Sequence, residues 1–242
     1  MTALVTGAGG AIGAAVVRNL LAEGEHVIVQ DLRDEVLRQF PPDTTTVVAG
    51  NLLSDERATD LRAALDAHPV DRVIAAHGVD GSGTLAASEP DFVNKVMAVN
   101  ADSIAVLLDI VKPTLSRTKG VLVVVDSQAG LVAERDNVAY CASKFAIVGW
   151  ARIMQPALAK EGIALRLFCP GCTETPLLYA AQERFAAAQG LDPQVFLDRR
   201  RSRIPVQRFA KVEQTAAGAC YLAAPGVTRP VVFAATGGEV LY

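Results

Sequence analysis

Residues Ala3 to Glu23 place a strand, a glycine turn and a helix in immediate succession. The run Ala3-Leu-Val-Thr-Gly7-Ala-Gly-Gly-Ala-Ile-Gly13 leads into a helical pattern from Ala14 to Glu23. Such a turn presents backbone amides and the positive end of a helix to a pyrophosphate. It also opens a longer alternation. Apolar, β-branched runs read as strands at about 2–6, 26–30, 45–49, 71–76, 120–125, 163–168 and 231–234, with helical patterns between most of them. This predicts an α/β protein built on a three-layer, doubly wound parallel sheet with right-handed crossovers. Both faces of such a sheet need covering, and the 51% apolar content is ample for that. The length of 242 residues suits one domain over residues 1–242, with no second folding unit. Ligands of these sheets bind beyond the carboxyl ends of the strands, where the strand order reverses.

Chemistry concentrates in Asn137-Val-Ala-Tyr-Cys-Ala-Ser-Lys144. On a helix, Tyr140 and Lys144 lie one turn apart on one face. A phenol with an ordinary pKa of about 10 is a poor acid-base group at neutral pH, and a fixed ammonium lowers that value. The pair therefore reads as a proton-transfer device, although the same spacing also occurs on ordinary helix surfaces. Ser127 follows the strand-like run Gly120-Val-Leu-Val-Val-Val125 and so opens into the crevice at its end. Asp31 follows the strand His26-Val-Ile-Val-Gln30, where a carboxylate can hydrogen-bond an adenosine ribose.

In this order the parts resemble the short-chain dehydrogenase/reductase family, in its classical branch. The resemblance runs from the Thr6-Gly7 turn to the Gly237-Gly238 pair. The family uses a glycine turn, a charged residue after the second strand, an Asn in a central helix, a Ser, a Tyr-x-x-x-Lys and a Pro-Gly after the sixth strand. The corresponding parts here are Gly7 to Gly13, Asp31, Asn100, Ser127, Tyr140 with Lys144, and Pro170-Gly171. The resemblance implies a Rossmann fold, a nicotinamide cofactor and a catalytic set of Ser127, Tyr140, Lys144 and Asn100. Ser127 is implied to hold the substrate oxygen and Tyr140 to exchange its proton. Lys144 is implied to lower the Tyr140 pKa while binding the nicotinamide ribose. Asn100 is implied to bend its helix and hold a water that passes the proton onward; the plain alternative is a helix Asn bonded to backbone.

The implied cofactor positions are Gly7, Gly10, Ala11, Ile12 and Gly13 in the turn, and Asp31 and Leu32 after the second strand. Asn51 and Leu52 follow the third strand and Ala76 and Gly78 the fourth. Pro170, Gly171, Thr173 and Thr175 follow the sixth, and Tyr140 and Lys144 complete the set. No metal is implied. A carboxylate at Asp31 accepts from two ribose hydroxyls and repels a 2′-phosphate, so NAD is expected over NADP. Arg33, close by, weakens that preference.

Four positions depart from the family pattern. Ala11 stands for the middle glycine and adds a methyl where backbone and pyrophosphate approach. Ala75-Ala-His77-Gly78 stands for Asn-Asn-Ala-Gly, removing the amides that brace the sheet and leaving His77 either to contact adenosine or to fill space. Asn51 replaces an Asp near the adenine, and Ala235-Thr-Gly-Gly238 replaces an Asp-Gly-Gly ending.

The segment 173–209 breaks the alternation with a helical run Pro176 to Ala188, Gly190, and a shorter helix ending in Arg199-Arg-Arg-Ser-Arg203. In the family an insertion here is the substrate lid. Leu177, Leu178, Tyr179, Phe185 and Phe196 fit either an apolar pocket wall or lid-to-core packing. The arginines fit either an anion site or a solvated helix end, where cations are favoured by the dipole. Cys169-Pro-Gly-Cys172 has redox or zinc spacing, but one pair supplies only half of a zinc site, and the Pro-Gly falls at the family turn.

A net charge of −3 gives no large basic surface for nucleic acid or an anionic membrane. No run approaches the roughly 20 apolar residues of a membrane span. A cytoplasmic protein acting on a small-molecule secondary alcohol or ketone is expected, and the resemblance implies a homo-oligomer, dimer or tetramer, paired through 100–111 and 140–160. The alternatives are an NADP-linked ketone or 3-oxoacyl reductase, and a non-catalytic dinucleotide-binding protein.

Overall fold

Leu4 belongs to one hydrophobic cluster while its neighbours Ala3 and Val5 belong to another, as alternating side chains must when both faces of a sheet are covered. The computed structural model describes residues 1–81, 89–134, 137–224 and 231–240. Among them, seven strands form one parallel sheet: β1 (Thr2–Thr6), β2 (His26–Asp31), β3 (Thr45–Ala49), β4 (Arg72–Ala75), β5 (Val121–Val125), β6 (Ala164–Pro170) and β7 (Val232–Ala235). Their order is β3-β2-β1-β4-β5-β6-β7. The sequence direction therefore reverses between β1 and β4, where a crevice opens at the carboxyl edge.

One face carries α1 (Ala11–Ala22) and α9 (Val212–Ala223), whose Val16, Leu20, Ala219 and Leu222 pack with Val5, Val29, Val123 and Phe168. The other carries α3 (Asp55–Ala67), α5 (Ser103–Thr118) and α6 (Val138–Lys160), whose Leu61, Leu107, Val111 and Ile147 pack with Leu4, Ile28, Leu122 and Val124. The short α2 (Asp34–Leu37) adds Leu37 to the first face. Leu122 is wholly buried in the middle of β5, so truncating it to Ala costs about 2–5 kcal/mol. No helix among the described residues is long and apolar enough to cross a membrane.

Each expected strand is present, with ends within two residues of the ranges read from the sequence. Two local differences bear on the site. First, α1 begins at Ala11 rather than Ala14. Second, the helix before β5 is interrupted: α4 (Pro90–Met97) passes through a π turn at Ala98–Asp102 before α5 starts. The lid consists of α7 (Pro176–Ala188) and α8 (Pro193–Ser202), and its ends are clasped by a bridge between Thr173 and Ala210. Thr175 caps α7, its Oγ1 accepting from the Leu178 amide at 3.1 Å, and Asp192 caps α8.

Candidate active site

Two cavities lie along the carboxyl edge of the sheet. The larger, about 710 Å³, runs across the ends of β1 to β4 and is lined by Gly7, Gly10, Asp31, Leu32, Asn51, Leu52, Ala76 and Gly78 among others. The smaller, about 140 Å³, lies over β5 and β6 beneath the lid and is lined by Ile12, Ser127, Tyr140, Pro170, Gly171, Thr173 and Thr175 among others. Most of the expected cofactor positions thus reach one cavity or the other. Ala11, Gly13 and Lys144 reach neither. Ala11 is the first residue of α1, where a methyl is tolerated, and Gly13 packs that helix on the turn, since a Cβ there would come within 2.1 Å of the Gly7 carbonyl oxygen.

The larger cavity suits a dinucleotide. Gly7 has φ +67°, and a Cβ on it would meet the His77 backbone at 2.6 Å, so the turn requires glycine there. Gly10 caps α1 without a side-chain hydrogen bond, which leaves first-turn amides facing the groove for an anion. Asp31 ends β2, and its Oδ2 accepts from the Gly9 amide at 3.0 Å, tying the turn to the residue placed to meet the ribose.

Ser127 comes two residues beyond β5 and starts a single 3-10 turn, its Oγ accepting from the Ala129 amide at 3.1 Å. Tyr140 and Lys144 sit in the first turns of α6, with Lys144 Nζ 5.5 Å from the centre of the phenol ring. Tyr140 and Ser127 line the smaller cavity together. Lys144 is buried, its Nζ 3.5 Å from the Val125 carbonyl oxygen and 3.6 Å from Asp126 Oδ1. The expectation about the phenol needs correcting in its net direction. Burial pushes the Tyr140 pKa above its usual value and outweighs the lowering by Lys144 and by Ser127.

Asn100 lies in the π turn, a form of helix that often marks functional positions. Its side chain is committed to structure: Oδ1 accepts from the Val79 amide at 2.8 Å, and Nδ2 donates to the Val79 carbonyl at 3.0 Å and to Ser143 Oγ at 3.1 Å. His77 neither simply fills space nor leaves the sheet unbraced. It joins Thr6 to Ser103 across the end of β4 while lining the larger cavity.

The smaller cavity has an apolar roof and a polar wall. Leu177, Leu178 and Phe185 form the roof, whereas Tyr179 and Phe196 line neither cavity; Phe196 instead packs on Phe185 with ring centres 6.3 Å apart. Glu134 and Arg200 belong to the wall. Of the arginine run, Arg200 alone faces inward, pairing with Glu239 and lying 3.5 Å from Glu134. Arg201 lies over the Phe209 ring and pairs with Asp198. The cysteines are free, and burial pushes the Cys172 thiol up to about 12 and Cys169 higher still, so neither is a thiolate nucleophile near neutral pH. No cluster of metal-ligating side chains occurs among the described residues.

Sequence reasoning missed Asp126 and Glu134 as site residues, and it singled out the run Arg199 to Arg203 without distinguishing Arg200 within it. Asp126 carried a signal, a carboxylate directly after five apolar strand residues. Glu134 carried none, and the arginine run did not show which member turns inward, because the loop and the helix that bear them meet only in the fold.

Comparison with known proteins agrees with this geometry. A sequence model described as short chain dehydrogenase matches residues 1–185. The chain is 29% identical over 251 residues to the 2-dehydro-3-deoxy-L-rhamnonate dehydrogenase (NAD(+)) of Sphingomonas sp., covering 99% of this chain and 95% of that protein. It is 26% identical over 174 residues to the 3-oxoacyl-acyl-carrier-protein reductase of Rickettsia bellii, covering 70% and 71% respectively. Among solved structures, an actinorhodin polyketide ketoreductase with NADPH superposes with a TM-score of 0.91 at 27% identity, covering 100% of this chain and 97% of that one.

Proposed function

This chain belongs to the short-chain dehydrogenase family, and from that premise we propose that it is an NAD-dependent enzyme interconverting a secondary alcohol and its ketone through Ser127, Tyr140 and Lys144. Membership fixes the coarse class: an oxidoreductase of CH–OH and carbonyl groups that uses a nicotinamide cofactor. One observation carries the finer proposal. Tyr140 and Ser127 line one cavity beneath α7 and α8, with a buried ammonium one helical turn from the phenol.

The nicotinamide supplies the hydride acceptor or donor, and the protein manages orientation and the proton. Ser127 orients the substrate oxygen. In oxidation Tyr140 takes the hydroxyl proton; in reduction it gives a proton to the carbonyl oxygen. Lys144 stabilises the phenolate that oxidation requires. The side chain of Asn100 holds Val79 and Ser143 in place, so any water relay falls to backbone groups of the π turn. Leu177, Leu178 and Phe185 keep bulk water from the reacting carbon.

NAD is favoured because the Asp31 carboxylate lines the larger cavity where the ribose would lie, and a 2′-phosphate there would meet a like charge. The second reading, an NADP-linked reductase, has one observation in its favour: Arg33 lines the same cavity. The proposal extends to assembly as a dimer or tetramer. Along α6, Ala142, Phe145, Ala146, Gly149, Ile153 and Ala157 form an exposed, largely apolar face of the single chain.

The test is nicotinamide absorbance change with NAD and NADP in parallel, against secondary alcohols and ketones, with Tyr140→Phe as the blank. NAD-linked turnover that falls about 10²–10⁴-fold in the blank, with cofactor binding retained, supports the proposal. A fully active blank refutes the role of Tyr140.

A further inference from the structure

Asp126 is a buried carboxylate that the roles given to Ser127, Tyr140 and Lys144 leave unused. It follows β5, and its side chain is wholly shielded from solvent. Oδ2 receives a long bond from Cys169 Sγ at 3.7 Å, the Ser127 backbone amide favours the charged form, and Oδ1 has no hydrogen-bond partner, its nearest counter-charge being Lys144 Nζ at 3.6 Å. A charge held so sparsely is costly to bury, and a neutral side chain of the same shape would serve packing better. Its position beside the proton-transfer pair gives it a chemical use.

We propose that Asp126 is a positioning residue that acts through Lys144 to set the pH range in which Tyr140 exchanges its proton. This rests on the Ser127, Tyr140 and Lys144 reading. The ammonium lies 3.6 Å from Asp126 Oδ1 and 5.5 Å from the centre of the phenol ring. With Asp126 ionised, the two buried charges offset each other at the phenol, and Tyr140 keeps its proton to higher pH. With Asp126 neutral, the ammonium acts alone and the phenolate forms more readily.

The other charged and titratable groups facing the pair do not take over this role. Burial raises the Asp126 pKa to about 6 against the lowering by Lys144, so this carboxylate changes charge close to neutrality. Lys144 also faces His77, which burial keeps neutral down to about pH 4. Cys169 stays a thiol. Glu134 faces Tyr140 but is engaged by Arg200, Gln128 and Asn137. Asp126 is thus the group here whose charge switches in the working range while touching the ammonium. Its ionised state keeps the phenol protonated, the form that donates to a ketone, so reduction is favoured at neutral pH and oxidation needs a more alkaline medium.

The test compares kcat against pH for wild type, Asp126→Asn and Asp126→Ser in the alcohol-oxidation direction, with Tyr140→Phe in parallel. The rising limb should move about one unit toward lower pH in both Asp126 variants, making them about tenfold faster relative to their own maximum at a fixed pH on the limb. A readout independent of turnover is the tyrosinate absorbance of Asp126→Asn, taken as a difference from Asp126→Asn/Tyr140→Phe, which should titrate at lower pH than the matching wild-type difference. A uniform loss of rate with an unmoved limb and an unmoved titration would reduce Asp126 to a structural residue and overturn the inference. Full activity in Tyr140→Phe would instead remove the underlying reading, and the inference with it.

Discussion

His77 Nδ1 lies 2.6 Å from Thr6 Oγ1, so the turn after β4 is pinned to the end of β1. On its other side, His77 Nε2 lies 2.8 Å from Ser103 Oγ, and the Ser103 hydroxyl donates to the Val99 carbonyl at 2.6 Å. The Ser103 proton is thereby used, so Nε2–H donates and Nδ1 accepts from Thr6. Burial, then the nearby Lys144 charge, lowers the His77 pKa from 6.5 to about 4. The unfolded chain takes up this proton first as pH falls, so the contribution is fully present above pH 6.5 and is lost between there and about 4. Allowing for partial exposure, the loss is on the order of 2 kcal/mol. Asp126, whose raised pKa favours the folded state as pH falls, acts in the opposite direction over the same window, so the His77 contribution is read as a difference between wild type and His77→Asn in urea unfolding. The stability gap between the two should be largest at neutral pH and should narrow as pH falls toward about 4; a gap that does not change with pH would place the linkage elsewhere.

The central strands were legible because they are buried on both faces, as in Val121–Val125, where every residue is buried and β-branched or Leu, while the edge strands β3 and β7 are only partly buried. The proton-transfer pair was legible because one helical turn separates Tyr140 from Lys144 whatever surrounds them. The brace at His77 was not, since it depends on Thr6 and Ser103, brought together by the sheet from far apart in the chain. Ala11 looked like a defect in the turn until the helix was seen to start on it. The phenol was misjudged in direction because spacing reveals the ammonium but not the burial that opposes it.

Replacing Asp31 with Asn tests the proposal that its charge selects the cofactor. An amide oxygen can still accept from the Gly9 amide, so the turn should survive. Loss of the like-charge repulsion and of one charged ribose contact should lower the ratio of NAD to NADP efficiency by about 10–100-fold. Steady-state kinetics with both cofactors reads the ratio directly. No change would transfer the selection to another residue, with Arg33 the first to try.

Ile153 is 79% exposed on the apolar face of α6, an unusual position for a side chain with no polar atoms. Ile153→Arg should disrupt self-association without touching Ser127, Tyr140 or Lys144. Light scattering should report a multiple of the chain mass for wild type and a smaller particle for the variant. A wild type that runs as a single chain at micromolar concentration would refute the assembly.

Arg200 should govern substrate binding more than chemistry. It projects from α8 into a site where Gln128 Nε2 donates to Glu134 at 3.0 Å and to Glu239 at 3.1 Å, and it is the cation paired with both carboxylates. The pairing fixes the lid helix to the loop after β5 and to the segment after β7, and it leaves little of the guanidinium for an anionic substrate. Arg200→Met removes the cation and leaves two poorly solvated carboxylates held by the Gln128 amide and, at Glu134, by Asn137, at a cost of about 2 kcal/mol in stability given their partial exposure. Because Tyr140 and Lys144 are carried by α6 and Ser127 by the turn after β5, independently of α8, KM should rise by about tenfold or more while kcat falls only a few-fold. Adding Glu239→Gln to Arg200→Met relieves the repulsion and should recover much of both losses, a coupling that a double-mutant cycle measures. Equal losses in kcat and kcat/KM, without recovery in the double variant, would mean that Arg200 acts in the transition state and not on the lid.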